Sequence, residues 1–383
     1  MTDGGENITV TPVRTRRELK RFVRFVDDLY REDPAYVAPL MFERLSLLDR
    51  RRNPYFRHAE AAFWIAWRKG RPVGRISAQI DELAVARAGR RIGHFGMFEC
   101  VDDPQVAAAL FATAEDWLAT RGAVAAQGPY NLSTNGECGL LVDGFATPPA
   151  IMMGHARPYY GRLLEEQGYA KVKDLFAYDL DVTKGPPRRI TKIVEAGHRN
   201  PDILMRPLDT RRYEEELALI VDIYNDAWSE NWGFVPLTLE EGRHLAHEIR
   251  PLIRRDCVFI CFYKGEPAAM MVTLPDINRI IQDFRGRLLP FNWARFLSRL
   301  YLQPIRHFRV PLMGVRKAYQ RSLAGAQMAL MMIEATRIPN AARGAKRAEL
   351  SWILEDNKGM RDILEEIGCV IAKTYRIYEK PLI

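Results

Sequence analysis

Two halves of the sequence repeat each other, and this constrains the fold more than any single motif. The repeated segments are 12–17 (PVRTRR) and 207–212 (PLDTRR), 69–72 (KGRP) and 264–267 (KGEP), and 164–168 (LEEQG) and 364–368 (LEEIG). The matches keep one order and nearly one offset. They predict two homologous domains, residues 1–185 and 200–383, joined by a Pro-rich basic segment.

Hydrophobic periodicity predicts the same series of elements in each half. A strand and a helix come first, followed by a strand pair around the Lys-Gly turn, a strand leading into a helix, and a final strand, helix and strand. In the first half, Asp103 predicts the cap of a helix. In the second half, the series includes a strand at 310–315 and a helix at 319–336. It predicts the α/β class, with mixed sheets that carry helices on both faces.

Charge and cysteine usage narrow the partners and the compartment. The chain has 383 residues, a formal net charge of +8 and five cysteines. The charge favours acidic partners such as phosphate-bearing cofactors or anionic lipid surfaces, and no nucleic-acid motif accompanies it. Few cysteines in an odd number predict a reduced protein, and His244 and His247 lack a suitable third metal ligand. The first residues, MTDGGENITV, lack a signal-peptide pattern, so we expect a cytoplasmic protein.

The stretch 309–337 contains the strand-to-helix passage of the second half. A helix that starts directly after a strand directs unpaired N–H groups and a partial positive charge at whatever lies beyond it. Its turn, 320–326 (QRSLAGA), supplies a cation, a hydroxyl and a glycine. Two interpretations are open, a site for phosphate or pyrophosphate and an ordinary connection in an α/β core.

The order of elements and several local sequences together resemble a known superfamily. A strand leads into Gln-x-x-x-x-Gly-Ala at 320–326, a later strand ends near Asn357, and the next helix closes in Glu-Ile-Gly at 366–368. This pattern resembles the GNAT superfamily of acyl-CoA-dependent N-acyltransferases, in the tandem form found in bacteria. Segments 128–133 (GPYNLS), 139–145 (GLLVDGF) and 375–380 (YRIYEK) are similar to the group that includes bacterial ceramide synthases, which acylate the amine of a sphingoid base.

The resemblance implies an acyl-CoA site in the second half. The strand would expose backbone groups to the pantetheine and the thioester, and the following turn would hold the pyrophosphate. The implied cofactor-binding residues are Met313, Gly314, Val315, Gln320, Arg321, Ser322, Gly325, Ala326 and Asn357. Acyl-CoA would be a co-substrate, and no metal is implied.

The sequence departs from the family at two positions. Leu323 stands where the family's turn has a glycine, and a side chain there narrows the room for a phosphate. Leu364 stands where many relatives carry a tyrosine that protonates the departing thiolate. Tyr375, Tyr378 and solvent are the alternatives for this acid.

The two halves differ at the turn that would hold the pyrophosphate. The first half has Asp102, Asp103 and Pro104 there. Two carboxylates repel a diphosphate, and the proline lacks an N–H donor. We therefore expect one cofactor site, in the second half, with the first half shaping the acceptor pocket.

N-acylation requires a neutral amine and therefore a group that accepts its proton. Glu137 and His155 are the titratable groups near a polar loop of the first half, and Tyr378 completes the predicted catalytic residues. An ordinary turn is the alternative for this loop. Substrate-binding residues are predicted in the same loop and in the segment that borders the acceptor site of this fold, namely Asn135, Trp228, Asn231 and Trp232. Core packing is the alternative for the tryptophans.

The second half also contains an insertion, residues 275–309, with seven arginines and two acidic residues. Pro290 can begin a helix within it. One face of that helix is apolar and carries Trp293, Phe296, Leu297, Leu300 and Tyr301. Arginines around an apolar face are typical of interfacial membrane anchors, so residues 286–302 predict contact with an anionic membrane surface. A lid over a lipid entrance and a helix packed over its own domain are the alternatives.

We interpret the sequence as an acyl-CoA-dependent N-acyltransferase that acylates a sphingoid base or a related long-chain amine to a ceramide-like amide. Two alternatives stay open, a small-amine N-acetyltransferase and a non-catalytic acyl-CoA-binding protein. The expected location is the cytoplasm, with peripheral contact on the inner face of the membrane.

Overall fold

A computed structural model describes residues 7–382 as two compact units. Unit 1 comprises the residues up to Leu175, 281–293 and those from Lys373. Unit 2 comprises Phe176–Ile280 and Ala294–Ala372. Residues 1–6, which belong to the segment MTDGGENITV discussed above, lie outside the described residues. No helix within 7–382 is both long and apolar enough to cross a bilayer.

The first part of the chain folds into six strands and five helices that belong to unit 1. The strands are β1 (Thr9–Pro12), β2 (Ala59–Arg68), β3 (Arg71–Asp81), β4 (Ile92–Cys100), β5 (Ala125–Gly128) and β6 (Leu140–Asp143). The helices are α1 (Arg16–Leu29), α2 (Met41–Leu47), α3 (Glu82–Ala88), α4 (Pro104–Ala119) and α5 (Tyr160–Glu166). The apolar face of α1 is buried through Phe22, Val23, Phe25 and Val26.

The rest of the chain adds seven strands and seven helices. The strands are β7 (Ala170–Asp181), β8 (Ile203–Pro207), β9 (Val258–Tyr263), β10 (Glu266–Pro275), β11 (His307–Val315), β12 (Arg347–Leu354) and β13 (Val370–Pro381). The helices are α6 (Arg188–Arg199), α7 (Tyr213–Ala227), α8 (Leu239–Ile249), α9 (Ile277–Ile281), α10 (Asn292–Tyr301), α11 (Leu323–Ala342) and α12 (Lys358–Glu366).

Each unit contains a mixed sheet. In unit 1 the strand order is β1-β2-β3-β4-β5-β13, and β6 also pairs with β13. In unit 2 the order is β7-β12-β11-β10-β9-β8. Each sheet contains a parallel pair, β4 with β5 and β11 with β12. The first strand of each pair is followed by a helix, α4 after β4 and α11 after β11. The predicted α/β class with mixed sheets is confirmed.

The repeated Lys-Gly sequences form the same tight hairpin turn in both units. Lys69 and Gly70 connect β2 to β3 with φ angles of 49° and 72°. Lys264 and Gly265 connect β9 to β10 with φ angles of 51° and 86°. A two-residue hairpin turn whose central residues both have positive φ matches the twist of its strands, and glycine adopts that conformation at little cost.

The last strand of each sequence half is divided between the two units. Most of β13, from Lys373 onwards, lies in unit 1, where Tyr378 pairs opposite Gly128 of β5. The second part of β7, from Phe176 onwards, lies in unit 2, where Val182 just beyond it donates its N–H to the Lys346 carbonyl. The boundaries of the homologous repeat, 1–185 and 200–383, stay a prediction, because the compact units exchange these strands.

Two helices differ from the sequence expectation. The helix predicted at 319–336 begins at Leu323 instead, because the Ser322 side chain caps it, and it continues through Pro339 to Ala342. The segment predicted as a join contains α6, which packs on α11. A Cβ on Gly197 of α6 would lie 2.5 Å from the sulfur of Met331, so the two helices are in close contact.

Candidate functional site

The parallel strands of unit 2, β11 and β12, separate partway along their length. Their pairing ends at Val310 and Leu350, and within the described residues β11 continues to Val315 with β10 as its only strand partner. The other edge of this part of β11 therefore carries backbone N–H and C=O groups that no strand pairs. Residues 313–315, the predicted thioester-binding segment, lie on this part of the strand.

The start of α11 provides a second set of unpaired backbone groups. The hydroxyl of Ser322 accepts a hydrogen bond from the Gly325 N–H at 3.0 Å, and the Ala326 N–H bonds to the Ser322 carbonyl at 3.2 Å. The N–H groups of Leu323 and Ala324 have no acceptor within residues 7–382. Two unpaired N–H groups at the positive end of a 20-residue helix can bind an anion.

Positive charge is concentrated in the same region of the chain. No Asp or Glu occurs between Asp283 and Glu334. Arg321 is exposed and has no ion-pair partner within the described part of the chain. The preceding basic residues Arg316 and Lys317 are already engaged. Their partners are Asp222 for Arg316 and Glu230 for Lys317. Arg321 is thus available to a bound anion next to the helix start.

Gln320 and Gly325 build the turn that presents these groups. The side-chain amide of Gln320 donates to the carbonyls of Val315 and Ala227, both at 2.9 Å. A Cβ on Gly325 would lie 2.1 Å from the Tyr319 carbonyl oxygen, so the close approach requires glycine. Gln320 and Gly325 therefore hold the predicted pyrophosphate turn through internal contacts, whereas the Arg321 side chain is exposed to solvent.

Two further residues from the sequence analysis have clear positions in unit 2. Leu323, which replaces the family's glycine, is 68% exposed, so its side chain is not packed into the turn. Asn357 caps α12, because its Oδ1 accepts the Met360 N–H at 3.2 Å. The capping role accounts for Asn357, and its contact with a cofactor stays a prediction.

Of the predicted acceptor residues near α7, Trp228 packs against β11. A Cβ on Gly314 would lie 3.0 Å from the Trp228 ring, so the indole packs directly against β11. Asn231 donates its backbone N–H to the Trp228 carbonyl at 2.8 Å, and Trp232 follows, half-buried. Asn135 lies in unit 1, where its N–H bonds to the Ser133 hydroxyl at 3.0 Å.

The corresponding junction of unit 1 is closed by the chain itself. β4 and β5 pair only as far as His94 and Gln127. Beyond that point the Tyr130 N–H bonds to the Phe95 carbonyl at 2.7 Å, and the Met97 N–H bonds to the Asn131 side chain at 2.7 Å. The edge of β4 that the separating strands would expose is therefore occupied by residues 130–131.

The helix start of unit 1 is also occupied. The Asp103 carboxylate accepts the N–H groups of Gln105 at 2.8 Å and Val106 at 3.4 Å, together with an Arg68 nitrogen at 2.6 Å. Burial raises the pKa of Asp103, but these hydrogen bonds outweigh it and hold the pKa below its ordinary value. A permanent carboxylate thus takes the position that an external anion would need.

Glu137, one of the two predicted bases, is held as an ion. Its carboxylate pairs with Arg44 and accepts a hydrogen bond from the Asn131 amide at 2.7 Å. Burial raises the pKa of Glu137, yet Arg44 and these hydrogen bonds bring it below its ordinary value. A carboxylate stabilised in this way is a weak proton acceptor at neutral pH.

His155, the other predicted base, is held in the neutral state with one nitrogen available. Nε2 lies 3.0 Å from the Asp33 carboxylate, and Nδ1 has no hydrogen-bond partner in the structure. The side chain is 4% exposed. Burial lowers the pKa of His155 despite the opposing effect of Asp33. An imidazole whose Nε2–H is directed at a carboxylate leaves the lone pair of Nδ1 free to accept a proton.

The predicted acids are buried tyrosines of unit 1. The Tyr378 hydroxyl donates to Glu165 at 3.2 Å, and the Tyr375 hydroxyl donates to the Gly154 carbonyl at 3.2 Å. Both side chains are almost fully buried, and burial raises the pKa of Tyr378. Their catalytic role stays a prediction.

The histidines and cysteines singled out in the sequence have ordinary surroundings. Within residues 7–382 there is no group of three His, Cys, Asp or Glu side chains placed to hold a metal ion. His244 lies 3.4 Å from Glu248 on the same helix. All five cysteines are buried and none forms a disulfide.

Two known proteins match nearly the whole chain, although no protein-family model does. The bacterial ceramide synthase of Caulobacter vibrioides is 46% identical over 377 residues, which cover 98% of each chain. The chain belongs to the bacterial ceramide synthase family. Protein YghO of Escherichia coli is 42% identical over 370 residues, 96% of this chain and 94% of that protein. The resemblance to this group is therefore confirmed.

Solved structures confirm the tandem GNAT fold for this member of the ceramide synthase family. A tandem GNAT protein from the clavulanic acid biosynthesis pathway covers 98% of this chain and is itself covered to 99%, with a TM-score of 0.59 and 11% identity. A GCN5-related N-acetyltransferase from Sphaerobacter thermophilus covers 98%, is covered to 96%, and has a TM-score of 0.52 and 13% identity. Family and fold together support an N-acyltransferase activity.

The sequence analysis did not identify one buried polar cluster of this protein. Glu99 on β4 accepts hydrogen bonds from the hydroxyls of Tyr30 at 2.9 Å and Tyr160 at 2.8 Å, with Arg75 at 3.8 Å. Burial raises the pKa of Glu99. These residues are far apart in the sequence and form no local motif, so only the isolated acid within an apolar strand could have drawn attention to the cluster.

Proposed function

We propose that the protein is an acyl-CoA-dependent N-acyltransferase that joins a fatty acyl group to the amine of a sphingoid base or a related long-chain amine. The acceptor class is suggested by the bacterial ceramide synthase, which shares 46% of its residues with this chain. The product would be a ceramide-like amide.

The observation that supports acyl-CoA as the acyl donor is the set of unpaired groups at the start of α11. Two N–H groups without acceptors and the free guanidinium of Arg321 lie beyond the end of an unpaired strand edge. A pyrophosphate requires N–H donors and a cation, and the pantetheine amides of coenzyme A can pair with a strand edge. The residues present therefore fit acyl-CoA, with the thioester directed towards 313–315.

In the proposed reaction one proton moves, in net terms, from the amine nitrogen to the sulfur, through a base that accepts a proton and an acid that donates one. The amine nitrogen attacks the thioester carbonyl carbon, the carbon–sulfur bond breaks, and the proton lost by the nitrogen balances the one gained by the sulfur. His155 is proposed as the base, because burial lowers its pKa and its buried Nδ1 has no hydrogen-bond partner within the described residues, whereas Glu137 is paired with Arg44. Tyr378 is proposed as the proton donor to the sulfur.

The test is a direct assay of the full-length protein. It would be incubated with palmitoyl-CoA or acetyl-CoA and with sphinganine or spermidine, and free thiol and amide would be measured by mass spectrometry. We expect N-palmitoyl sphinganine as the main product. An amide formed only from acetyl-CoA and spermidine would instead identify a small-amine acetyltransferase, and thiol or amide in no combination would reject the activity.

A pair of variants locates the donor. Arg321→Gln removes the free guanidinium and is expected to lower kcat/KM for palmitoyl-CoA about ten- to a hundredfold, because a charge-assisted hydrogen bond to phosphate contributes roughly 1.5–3 kcal/mol. Arg71→Gln is the matched control, since Arg71 is also exposed and unpaired but lies at a hairpin turn of unit 1. Equal activity of both variants would place the donor elsewhere.

A further inference from the structure

One segment carries a concentration of exposed apolar side chains. Six large apolar residues between 289 and 302 are each between 43% and 82% exposed. They are Leu289, Phe291, Trp293, Leu297, Tyr301 and Leu302. No other stretch of similar length within the described residues carries more than two. Exposed apolar surface of this density marks an interaction site on a soluble domain.

The tip of this segment is held in one conformation by its own hydrogen bonds. The Trp293 N–H donates to the Leu288 carbonyl at 2.8 Å, and its indole N–H donates to the Pro290 carbonyl at 3.0 Å. The Asn292 amide donates to the Arg287 carbonyl at 2.8 Å. Because these backbone groups are satisfied internally, the tip can enter an apolar medium without leaving them unpaired.

The base of the tip is fixed in unit 1. Ile281 and Phe284 are each 2% exposed, and the Gln282 amide donates to the Pro34 carbonyl at 2.9 Å. Gly286 approaches the Pro39 carbonyl so closely that an added Cβ would lie 2.8 Å from it. The apolar tip therefore projects from a fixed base.

Two arginines without ion-pair partners precede the apolar tip in the sequence. Arg285 and Arg287 are exposed and have no ion-pair partner within the described residues. No acidic residue follows in the sequence until Glu334. The segment therefore contains three exposed apolar side chains, Leu289, Phe291 and Trp293, and two unpaired guanidinium groups close to them in the sequence. Tryptophan is the residue that favours the boundary between lipid and water.

We propose that residues 285–293 dock the protein onto an anionic bilayer surface, with Leu289, Phe291 and Trp293 entering the headgroup boundary and Arg285 and Arg287 contacting lipid phosphates. Apolar insertion and electrostatic attraction add to each other in such binding. This proposal does not depend on the acyl-CoA site. If the acceptor is a long-chain amine, the same surface would place the protein where that amine resides.

The experiment measures flotation of the full-length protein with vesicles of phosphatidylcholine alone or with phosphatidylglycerol added. We expect binding to the anionic vesicles that weakens as salt is raised, because exposed charges are screened. Leu289→Ser combined with Phe291→Ser should lower the partition constant at least about tenfold. Arg285→Gln combined with Arg287→Gln should lower it about tenfold on anionic vesicles and leave any binding to neutral vesicles unchanged.

Leu204→Ser is the matched control, because Leu204 is 61% exposed at the sheet edge of unit 2 and is expected to leave binding unchanged. Circular dichroism and thermal unfolding confirm that each variant is folded. Unchanged flotation of the folded Leu289→Ser/Phe291→Ser variant, or an equal loss for Leu204→Ser, would overturn the proposal. So would a wild-type oligomer that this variant converts to a monomer without any vesicle binding, since the patch would then join two copies of the chain.

Discussion

The two strand-to-helix junctions of the molecule share one architecture but differ in what occupies them. In unit 1, residues 130–131 close the gap beyond the parallel pair, and Asp103 occupies the start of α4. In unit 2, the edge of β11 is not closed by a strand, and α11 starts with a neutral serine cap beside the unpaired Arg321. The junction is therefore occupied by the chain's own residues in unit 1, and in unit 2 it is open to an anion.

This difference teaches that an anion site in this fold depends on a few local residues. A carboxylate and a serine both cap a helix well, so replacing one by the other changes the charge at the helix start with little effect on its stability. The crossing segment of unit 1 likewise replaces an external partner of the strand edge with an internal one.

The largest expected effect concerns the crossing segment. A Cβ on Gly96 would lie 1.7 Å from the Tyr130 carbonyl, so Gly96→Ala forces backbone movement and should lower the free energy of unfolding by about 3 kcal/mol or more. In unit 2, a Cβ on Gly314 would meet side chains rather than backbone, the Trp228 ring at 3.0 Å and the Ala227 Cβ at 3.1 Å, so Gly314→Ala should cost about 1 kcal/mol. Urea denaturation measures both, and equal losses would contradict the idea that only unit 1 is filled by its own backbone.

The next effect tests the charge at the helix start. Ser322→Asp copies the cap of unit 1 into unit 2, retains the helix, and places a carboxylate where the pyrophosphate would bind. We expect the dissociation constant for coenzyme A to rise about a hundredfold, because close like charges cost several kcal/mol. Isothermal titration calorimetry measures the change. Asp103→Ser is the control in unit 1 and should leave the affinity for coenzyme A unaltered. A similar loss of affinity in both variants would mean that the substitutions act by destabilising the fold and not through charge at the binding position.

The third effect is a dependence of stability on pH that arises at the closed junction. Burial lowers the pKa of His94 to about 4. Between the ordinary histidine pKa and this value, the unfolded chain binds a proton that the folded protein does not, so stability falls as the pH is lowered. His94 should contribute a loss of about 2 kcal/mol between pH 7 and pH 5. His94→Gln should flatten this part of the profile in chemical denaturation, while coenzyme A affinity at pH 7 stays the same.

The smallest effect sharpens the description of the open junction. Leu323 occupies the family's glycine position, yet its side chain is largely exposed. Leu323→Gly should therefore change coenzyme A affinity less than about threefold and lower stability by roughly 1 kcal/mol through helix propensity. A large gain in affinity, measured by the same calorimetry, would show instead that the leucine narrows the site.

Local sequence signals predicted much of the fold. The Lys-Gly turns and the Asp103 cap follow from residues adjacent in the chain, and the strand predicted at 310–315 lies within β11 (His307–Val315). The start of α11 was placed too early, because the cap depends on the Ser322 side chain rather than on periodicity. The helix α6 was missed, because its basic, Pro-flanked sequence resembles a linker and its buried face is defined only by contact with α11.

The candidate site was less accessible from the sequence. Arg321 and the helix start could be identified from the order of elements and the absence of acids nearby. The structural role of Gln320 and the closure of the first junction by residues 130–131 could not, because both depend on contacts between segments remote in the chain. The same holds for the state of His155, which is determined by Asp33 and by burial.

The exchange of last strands has a consequence for how the protein is made. Unit 1 includes β13 from Lys373 onwards, where Tyr378 pairs with Gly128. These residues are synthesised after all those of unit 2, so unit 1, which is the first to emerge from the ribosome, must wait longest for its final strand. Until then its sheet presents an unpaired edge at β5, a period in which newly made protein is exposed to aggregation and to chaperones.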